Sequence, residues 1–210
     1  MGRYLGPKCK RCRRMGVKLF LKGSKCITEK CAMERLAKKK RGALGFTPAR
    51  TPLSVYGKRL MEKQKLKFMS GISERQLRTY LHKAMSMKGD VGENLLSLIE
   101  RRLDNVVYKL GFAVSRPQAR QFVVHGMVTV NGKNVNIPSY LVKVGDEIKI
   151  KDKYRENIYI KKSVEEKATI VPDWLSVDYG AFSGKVLRYP TKNESSYPID
   201  TSLIVEFYSR

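Results

Sequence analysis

Four cysteines near the start of the chain are the residues whose type and spacing most clearly suggest chemistry. They occur as Cys9-x2-Cys12 and Cys26-x4-Cys31, with thirteen residues between the two pairs, and the sequence has no other cysteine. Four thiolates at such spacing can enclose one metal ion in a tetrahedral site. Because they leave no open coordination position for a reacting water, the pattern indicates a structural clamp and not a catalytic centre.

The group expected at these cysteines is Zn²⁺, with a [4Fe–4S] cluster as the alternative, since four cysteines also ligate such clusters. Zinc is favoured because nothing else in the sequence requires redox chemistry. The chain shows no apolar signal region at its start, and no apolar run approaches the ~18 residues of a membrane span. We therefore expect a cytoplasmic protein, in which reduced thiols favour metal binding over disulfides.

The chain is strongly basic, and its charge is unevenly distributed. Its 210 residues include 43 Lys and Arg against 19 Asp and Glu, a net charge of +24. Residues 1–50 carry 16 basic and two acidic side chains, whereas residues 151–210 carry ten and nine. Such an excess opposes compaction unless a polyanion supplies counter-charge, so the first half indicates nucleic-acid binding. The near-neutral end is expected to pack against the fold or to face protein.

The elements that hold these residues are predicted to be mostly helical in the first half of the chain. Residues 1–45 read as irregular, with one helix starting near Thr28. Ser54 is expected to cap a second helix, and Ser73 a third through a capping box with Gln76. The predicted buried stripe of this third helix consists of Leu77, Tyr80, Leu81 and Ala84.

The middle of the chain continues the helical pattern before strands begin. Apolar residues recur at helical spacing from Leu95 to Leu110 and predict a single helix that ends at Gly111. A second capping box is predicted at Ser115 and Gln118, at the start of the next helix.

Strands are predicted in the second half. Asn131-Gly132 between β-branched residues is a strong signal for a hairpin turn. Alternating residues predict a strand at 147–150, and further strand pieces are predicted at 174–177 and 203–207. Residues 157–166 fit a short charged helix or a strand. The predicted fold class is therefore α+β.

Several stretches of the chain resemble one known family. Residues 98–150 resemble a small helix–helix–hairpin RNA-binding module of translation proteins, and further matches cover nearly the whole chain. The matching stretches are Met1-Gly2-Arg3-Tyr4-x-Gly6-Pro7, Glu62-Lys63-Gln64-Lys65, Glu74-Arg75-Gln76, Gly92-Glu93-Asn94-Leu95-Leu96, Arg102-Leu103-Asp104-Asn105-Val106-Val107-Tyr108, Ser115-Arg116-x-x-Ala119-Arg120-Gln121, Val130-Asn131-Gly132 and Val205-Glu206-Phe207-Tyr208-Ser209. On these residues the chain is similar to the bacterial family of small-subunit ribosomal protein four, in its four-cysteine form.

The resemblance implies a structural constituent of the small ribosomal subunit and not an enzyme. It implies a primary rRNA-binding protein that nucleates assembly at a multi-helix junction, and that contributes to translational accuracy and to the channel through which mRNA enters. The implied partners are small-subunit rRNA, mRNA near that channel and neighbouring ribosomal proteins, protein five first. The alternative is an RNA-modifying enzyme that uses the same module, although no catalytic constellation is evident outside it.

The resemblance also implies a division into four segments. They are a cysteine metal-binding basic segment (1–45), a helical domain (46–97), an inserted RNA-binding module (98–155) and a C-terminal segment that packs back on the helical domain (156–210). One departure concerns the stretch after the basic run. Many family members carry Pro-Gly-x-His-Gly there, whereas this chain reads Arg41-Gly42-Ala43-Leu44-Gly45-Phe46.

The candidate RNA-binding residues are mostly cations of the basic first half and of the module. Arg116 and Arg120, one helical turn apart, are interpreted as an RNA-binding pair, although a solvated charged face is the alternative. Tyr4 is expected either to stack on a base or to pack internally. Asp104 and Asn105 are expected to hold local hydrogen bonds. The full candidate set is Arg3, Tyr4, Lys8, Arg11, Arg13, Arg14, Arg35, Lys38, Lys39, Lys40, Arg41, Arg59, Lys63, Lys65, Arg75, Arg78, Arg116, Arg120, Asn131 and Lys133.

Overall fold

A computed structural model of the chain describes residues 4–42, 54–165 and 170–209. These residues form two compact units. The terminal unit consists of residues up to Lys83 together with those from Tyr197 onward, and the central unit spans Ala84–Ser196. Within the described ranges, no helix is both long and apolar enough to cross a membrane.

The described residues contain nine α-helices and five β-strands, in agreement with the predicted α+β class. The helices are α1 Lys8–Met15, α2 Ala32–Gly42, α3 Val55–Ser70, α4 Glu74–Met85, α5 Val91–Glu100, α6 Leu103–Lys109, α7 Arg116–Val124, α8 Ile158–Glu165 and α9 Thr201–Tyr208. The strands are β1 Val128–Val130, β2 Lys133–Asn134, β3 Glu147–Ile150, β4 Leu175–Asp178 and β5 Ser183–Val186.

The described N-terminal residues are more regular than the sequence pattern suggests. Helix α1 is followed by Gly16, whose backbone is left-handed (φ +71°) and whose N–H donates to the Cys12 carbonyl at 2.9 Å. The helix predicted near Thr28 begins instead at Ala32. The Thr28 hydroxyl donates to the Lys25 carbonyl at 3.2 Å, so it stabilises the preceding turn and does not cap α2.

The caps predicted for α3 and α4 are confirmed. The Ser54 hydroxyl accepts a hydrogen bond from the Gly57 N–H at 3.1 Å. The Ser73 N–H donates to Gln76 Oε1, and the Gln76 N–H donates to the Ser73 hydroxyl, both at 3.3 Å. The predicted stripe of α4 is buried throughout, at Leu77, Tyr80, Leu81 and Ala84.

The prediction of one continuous helix across residues 95–110 is wrong. The helix breaks at Arg102, which is extended (φ −66°, ψ 137°) and separates α5 from α6. Arg102 forms an isolated antiparallel bridge with Leu141, and the Leu103 N–H donates to the Tyr140 carbonyl at 2.8 Å. Pairing with this distant segment takes the backbone out of the helix, although the apolar stripe on both sides of the break stays buried.

Helix α7 begins as predicted, but its capping box is formed differently. The Gln118 side chain accepts from the Val114 N–H at 2.9 Å, and the Ser115 side chain makes no capping hydrogen bond. Pro117 has no N–H to offer to the serine. The Gln118 N–H donates to the Ser115 carbonyl at 3.0 Å. A serine cap would normally accept from the N–H groups at positions 117 and 118. The first is absent in proline and the second is already bonded to the Ser115 carbonyl, so the Ser115 hydroxyl has neither donor to accept from.

The central unit contains one antiparallel sheet with strand order β2-β1-β3-β5-β4. The hairpin turn between β1 and β2 is confirmed: Asn131 (φ +50°) and Gly132 (φ +76°) are both left-handed. The strand predicted at 174–177 is present as β4, one residue later, and residues 158–165 are helical. Helices α6 and α7, the sheet and Trp174 enclose the core of this unit.

The strand predicted at 203–207 is wrong, because this stretch is helix α9. The Asp200 carboxylate accepts from the Ser202 N–H at 3.0 Å and caps the helix. Thr201 and Ile204, about one turn apart, are buried as α9 packs against α3. The segment predicted as residues 156–210 is consequently divided, with its last part in the terminal unit and the remainder in the central unit.

Candidate nucleic-acid interface

The four cysteines lie in the terminal unit as free thiols, with Cys9 partly exposed and Cys12, Cys26 and Cys31 buried. The Lys22 N–H donates to the Cys26 sulfur at 3.3 Å. Burial raises the pKa of the Cys12 thiol, and the charges of the other three cysteines raise it further.

The donor set, more than a preformed geometry, is what fits a metal ion here. Four thiols in one short segment suit zinc or an iron–sulfur cluster, and a backbone N–H to sulfur is the kind of contact that supports a bound thiolate. Over the described ranges, however, no group of three or more His, Cys, Asp and Glu side chains is arranged to hold a metal ion. The metal clamp therefore stays a prediction.

One cation of α1 contacts aromatic side chains, and others are exposed to solvent. The Arg11 guanidinium lies between two aromatic rings, 3.7 Å from the centroid of Tyr4 and 4.3 Å from that of Phe68. This arrangement favours the packing alternative for Tyr4. Gly6 permits it, because a Cβ there would lie 2.6 Å from the Tyr4 hydroxyl. The exposed cations of α1 are Lys10, Arg13 and Arg14.

The candidates of α2 are exposed where their side chains are described. Arg35 is exposed, and exposed Lys38 forms an ion pair with Glu29 at 2.8 Å. Lys8, at the start of α1, is half-buried. The candidate Arg3, the side chains of Lys39, Lys40 and Arg41, and most of the stretch that departs from the family pattern lie outside the described part of the chain.

The candidates of α3 are held by carboxylates of their own unit. Lys63 is only 6% exposed, so its ammonium group does not face a phosphate in this conformation. The Arg59 and Lys65 side chains are also mostly covered, at 16% and 20% exposure. The ion pairs are Arg59–Glu206, Lys63–Glu74 and Lys65–Glu62.

Helix α4 presents a charged face that includes the candidates Arg75 and Arg78. Arg75, Arg78 and His82 recur at helical spacing and are all exposed. The Arg78 guanidinium lies 6.0 Å from the centroid of the Tyr208 ring, at the edge of the contact with α9. Of these three residues, Arg75 lies in the first turn of the helix.

Arg116 and Arg120 of the central unit are not a simple solvated pair. The Arg116 Nε donates to Asn105 Oδ1 at 2.8 Å, and its Nη2 donates to the Ser196 hydroxyl. The Arg120 Nη1 donates to Asp104 Oδ2 at 3.2 Å, and 25% of the Arg120 side chain is exposed. The prediction that Asp104 and Asn105 hold local hydrogen bonds is confirmed.

The hairpin candidates have different surroundings. The Asn131 side chain donates to Asp146 Oδ1 at 2.8 Å and accepts from the Glu147 N–H at 2.9 Å, so its amide joins β1 to the turn before β3. Lys133 is exposed beside it. Lys133 is therefore the hairpin side chain that faces solvent with its charge.

Two residues of the central unit, Glu100 and Ser196, could not be predicted to have a structural or functional role from the sequence. Glu100 is completely buried and Ser196 is half-buried, and they are joined by a hydrogen bond across 96 positions of the chain. Neither residue belongs to a recognisable motif or spacing. Contacts of that sequence separation become visible only in the folded chain.

Family models match most of the chain in two parts. The model described as "Ribosomal protein S4/S9 N-terminal domain" matches residues 3–100, and the S4 domain matches residues 101–148. Small ribosomal subunit protein uS4 of Thermus thermophilus is 51% identical over 211 residues. Those of Thermoanaerobacter pseudethanolicus and Thermotoga maritima are 50% and 48% identical, and each of the three alignments covers 100% of both chains.

The chain belongs to the uS4 family of small ribosomal subunit proteins. The break at Arg102 lies close to the boundary between the two matched regions, so α6, α7 and β1 to β3 fall in the S4 domain, with the last two residues of β3 just beyond it. The cysteines and helices α1 to α4 fall in the N-terminal match. Because uS4 proteins are structural ribosomal proteins, the alternative of an RNA-modifying enzyme is set aside.

Proposed function

We propose that this chain binds small-subunit rRNA as a primary assembly protein, through exposed cations on both of its units. As a member of the uS4 family it is a structural, rRNA-binding component of the cytoplasmic small ribosomal subunit. The observation that carries the residue-level proposal is the exposure of six candidate cations that lie outside the internal ion pairs described above. These are Arg13, Arg14, Arg35, Arg75, Arg78 and Lys133, and Lys10 of α1 is exposed as well.

The mechanism proposed is binding without chemistry. Arginine and lysine side chains neutralise phosphates and release counterions, which favours association at low salt. The deep, narrow major groove of A-form RNA hides base edges, so recognition follows the shape of a multi-helix junction. The chain carries a net charge of +24, and a bound polyanion supplies the counter-charge that reduces its self-repulsion.

The salt dependence of rRNA binding tests the exposed cations of α1. Replacing both Arg13 and Arg14 with alanine removes two phosphate contacts, so the slope of log K against log salt is expected to become shallower by about 1.4 to 1.8. Binding of the purified full chain to a small-subunit rRNA transcript would be measured between low and moderate salt.

Lys161→Ala is the matched control for this experiment, because Lys161 lies outside both family matches and pairs with Glu156. Its slope is expected to equal that of the wild-type chain. Equal slopes for the Arg13/Arg14 variant and the wild type would instead show that this face of α1 does not contact rRNA.

We also propose that the four cysteines hold one Zn²⁺ ion, or alternatively an iron–sulfur cluster, as a clamp on the N-terminal segment. Cys9, Cys12, Cys26 and Cys31 would be the ligands, and the bound group would supply cross-linking and no reaction. Support comes from the four-thiol donor set, the burial of three thiols and the Lys22 N–H on the Cys26 sulfur.

Cys26→Ser tests the clamp. Loss of one ligand is expected to abolish stoichiometric metal in elemental analysis and to make residues 4–42 more sensitive to protease, while the central unit resists as before. Ser24→Ala, in the same turn, is the control. A Cys26→Ser chain that keeps stoichiometric metal and wild-type protease resistance would contradict the proposal.

Contacts beyond rRNA are proposed on the family resemblance. Neighbouring ribosomal proteins, protein five first, and mRNA near the channel through which it enters are the expected partners, with a contribution to translational accuracy. Cross-linking from exposed lysines in purified small subunits would test these contacts. Cross-links confined to rRNA would remove the protein and mRNA partners from the proposal.

A further inference from the structure

A completely buried carboxylate lies at the centre of a polar network in the central unit. Glu100 is 0% exposed, and its Oε1 accepts from both the N–H and the hydroxyl of Ser196, at 2.8 and 2.9 Å. Its Oε2 accepts from the Asn105 side chain. A buried carboxylate is tolerated only when such donors replace its hydration, so these partners hold Glu100 and are held by it.

The two partners of Glu100 are also the two residues that hold Arg116. Asn105 accepts from Arg116 Nε at 2.8 Å, and the Ser196 hydroxyl accepts from Arg116 Nη2. The guanidinium also lies over the Tyr108 ring, 4.7 Å from its centroid. Arg116 is therefore fixed from three sides although its side chain is only partly buried.

A second carboxylate, Asp104, holds the neighbouring Arg120 by a direct hydrogen bond. Asp104 accepts from Arg102 Nε at 3.0 Å and Nη2 at 2.7 Å, and from Arg120 Nη1 at 3.2 Å. Arg102 is 1% exposed, whereas Arg120 is 25% exposed. Asp104 thus bonds two arginines directly, whereas Glu100 reaches Arg116 through Asn105 and Ser196.

We propose that Glu100, Asn105 and Ser196 are positioning residues that fix Arg116 for rRNA binding, with Asp104 doing the same for Arg120; this rests on the proposed function. A long side chain that is already ordered loses less rotamer freedom when it binds a phosphate. The network therefore stabilises the bound conformation of each arginine before RNA arrives, in the way that supporting hydrogen bonds orient other binding side chains.

Ser196→Ala tests the proposal because it removes one acceptor of Arg116. It also removes the hydroxyl donor to Glu100 but keeps the backbone N–H that donates to Glu100. Binding of the full chain to a small-subunit rRNA transcript is expected to weaken roughly three- to tenfold. The slope of log K against log salt should not change, since Arg116 still reaches its phosphate. Ser196→Thr, which keeps the hydroxyl, is expected to bind like the wild type, and Ser176→Ala, at an exposed serine of β4, is the control.

The effect of Ser196→Ala is also measured in a chain that carries Arg116→Ala. Arg116→Ala alone should weaken binding and make the salt slope shallower by about 0.7 to 0.9, and adding Ser196→Ala to it should cause no further loss. Arg116→Lys keeps the charge without the fork of donors, so it should lose about as much affinity as Ser196→Ala. This variant tests the proposal even if Ser196→Ala lowers the melting temperature.

Three results would overturn the inference. They are an equal loss from Ser196→Ala with and without Arg116, no loss from Ser196→Ala, and wild-type binding by Arg116→Ala or Arg116→Lys. In each case the wild-type chain still binds rRNA, so the proposed function stands. Absence of rRNA binding by the wild-type chain would overturn both.

Discussion

Glu74 is the carboxylate that joins three side chains of the terminal unit. Lys63 and Lys67 donate to its two oxygens at 2.9 and 3.1 Å, and the Tyr208 hydroxyl donates to it as well. Burial opposes ionisation of Glu74, but the hydrogen bonds from Tyr208, Lys63 and Lys67 outweigh it and lower its pKa to about 2. The pKa of Tyr208 is raised, first by burial and then by the bond to Glu74.

Glu74→Gln is expected to destabilise the chain in a pH-dependent way. The pKa of Glu74 is lower in the folded chain, at about 2, than the ordinary 4.5, so its stabilisation is complete above pH 4.5 and is lost as pH falls towards 2. With solvent screening allowed for, the loss at pH 7 should be about 1 to 2 kcal/mol. The measurement is the free energy of unfolding in urea at several pH values.

Exposed Glu165→Gln is the control, and its effect should be small at every pH. The wild-type and Glu74→Gln curves are expected to converge as pH falls through 2, because Glu74 then becomes protonated in the folded chain as well as in the unfolded chain. Parallel curves from pH 7 to pH 3 would contradict the role given to this carboxylate.

At the scale of elements, strand β5 lies close to Leu110, the residue that follows α6. A Cβ added at Gly184 would lie 2.4 Å from Leu110 Cδ2 and 3.0 Å from the Ser176 carbonyl oxygen. Leu110 is fully buried in the core, and Ser176 lies on the paired strand β4. The glycine therefore lets the sheet lie close to the leucine that follows α6.

Gly184→Ala is expected to reduce the free energy of unfolding of the central unit by about 1 to 3 kcal/mol, because neither the core leucine nor the carbonyl oxygen can move freely. Trp174, the only tryptophan in the chain and fully buried, reports this unfolding by its fluorescence in urea.

Gly132→Ala is the comparison for this prediction. A Cβ there meets nothing within 4 Å, and only the left-handed backbone (φ +76°) opposes the substitution. Its cost should be about 1 to 2 kcal/mol, from backbone strain alone. In a chain that already carries Leu110→Ala, Gly184→Ala should remain destabilising only if the contact with the Ser176 carbonyl oxygen matters. Wild-type stability of the single variant Gly184→Ala would contradict the close approach.

At the scale of the whole molecule, the chain leaves the terminal unit after Lys83 and returns to it at Tyr197. The returning helix α9 is held on α3 by the Arg59–Glu206 ion pair and by the Asp200 N–H, which donates to Glu62 at 3.3 Å. The sequence indicated that this near-neutral end packs against the fold or faces protein. Glu206 and Asp200 have contacts within the fold, and both are exposed.

A charge exchange tests the attachment of α9. Glu206→Lys places two cations together and should destabilise the terminal unit by about 1 kcal/mol, with faster proteolysis near α9. Combining it with Arg59→Glu restores opposite charges and should recover most of the loss. The measurements are thermal unfolding and the rate of cleavage between residues 197 and 209.

Glu29→Lys is the matched control, because its ion pair with Lys38 is highly exposed, and reversal there should change stability by less than about 0.5 kcal/mol. If the losses of stability from Glu206→Lys and Arg59→Glu simply add in the double variant, Arg59 and Glu206 do not stabilise α9 through their charges.

The sequence by itself determined those features that depend on neighbouring residues. The caps at Ser54 and Ser73, the hairpin turn at Asn131-Gly132 and the buried stripe of α4 all follow from residues within about one turn of each other. Net charge is a sum over the chain and also needs no structure. The indication of a polyanion partner therefore came from the sequence alone.

Tertiary structure alone decided where a segment departs from the secondary structure that its local sequence favours. It also decided which cations remain exposed. The helix across residues 95–110 breaks because Arg102 pairs with Leu141, and 203–207 is helical because α9 packs on α3. Arg116 and Ser196 are 80 positions apart, so no local pattern could show that one holds the other. The cost of leaving a buried carboxylate or arginine without a partner makes such distant pairs obligatory once the chain has folded.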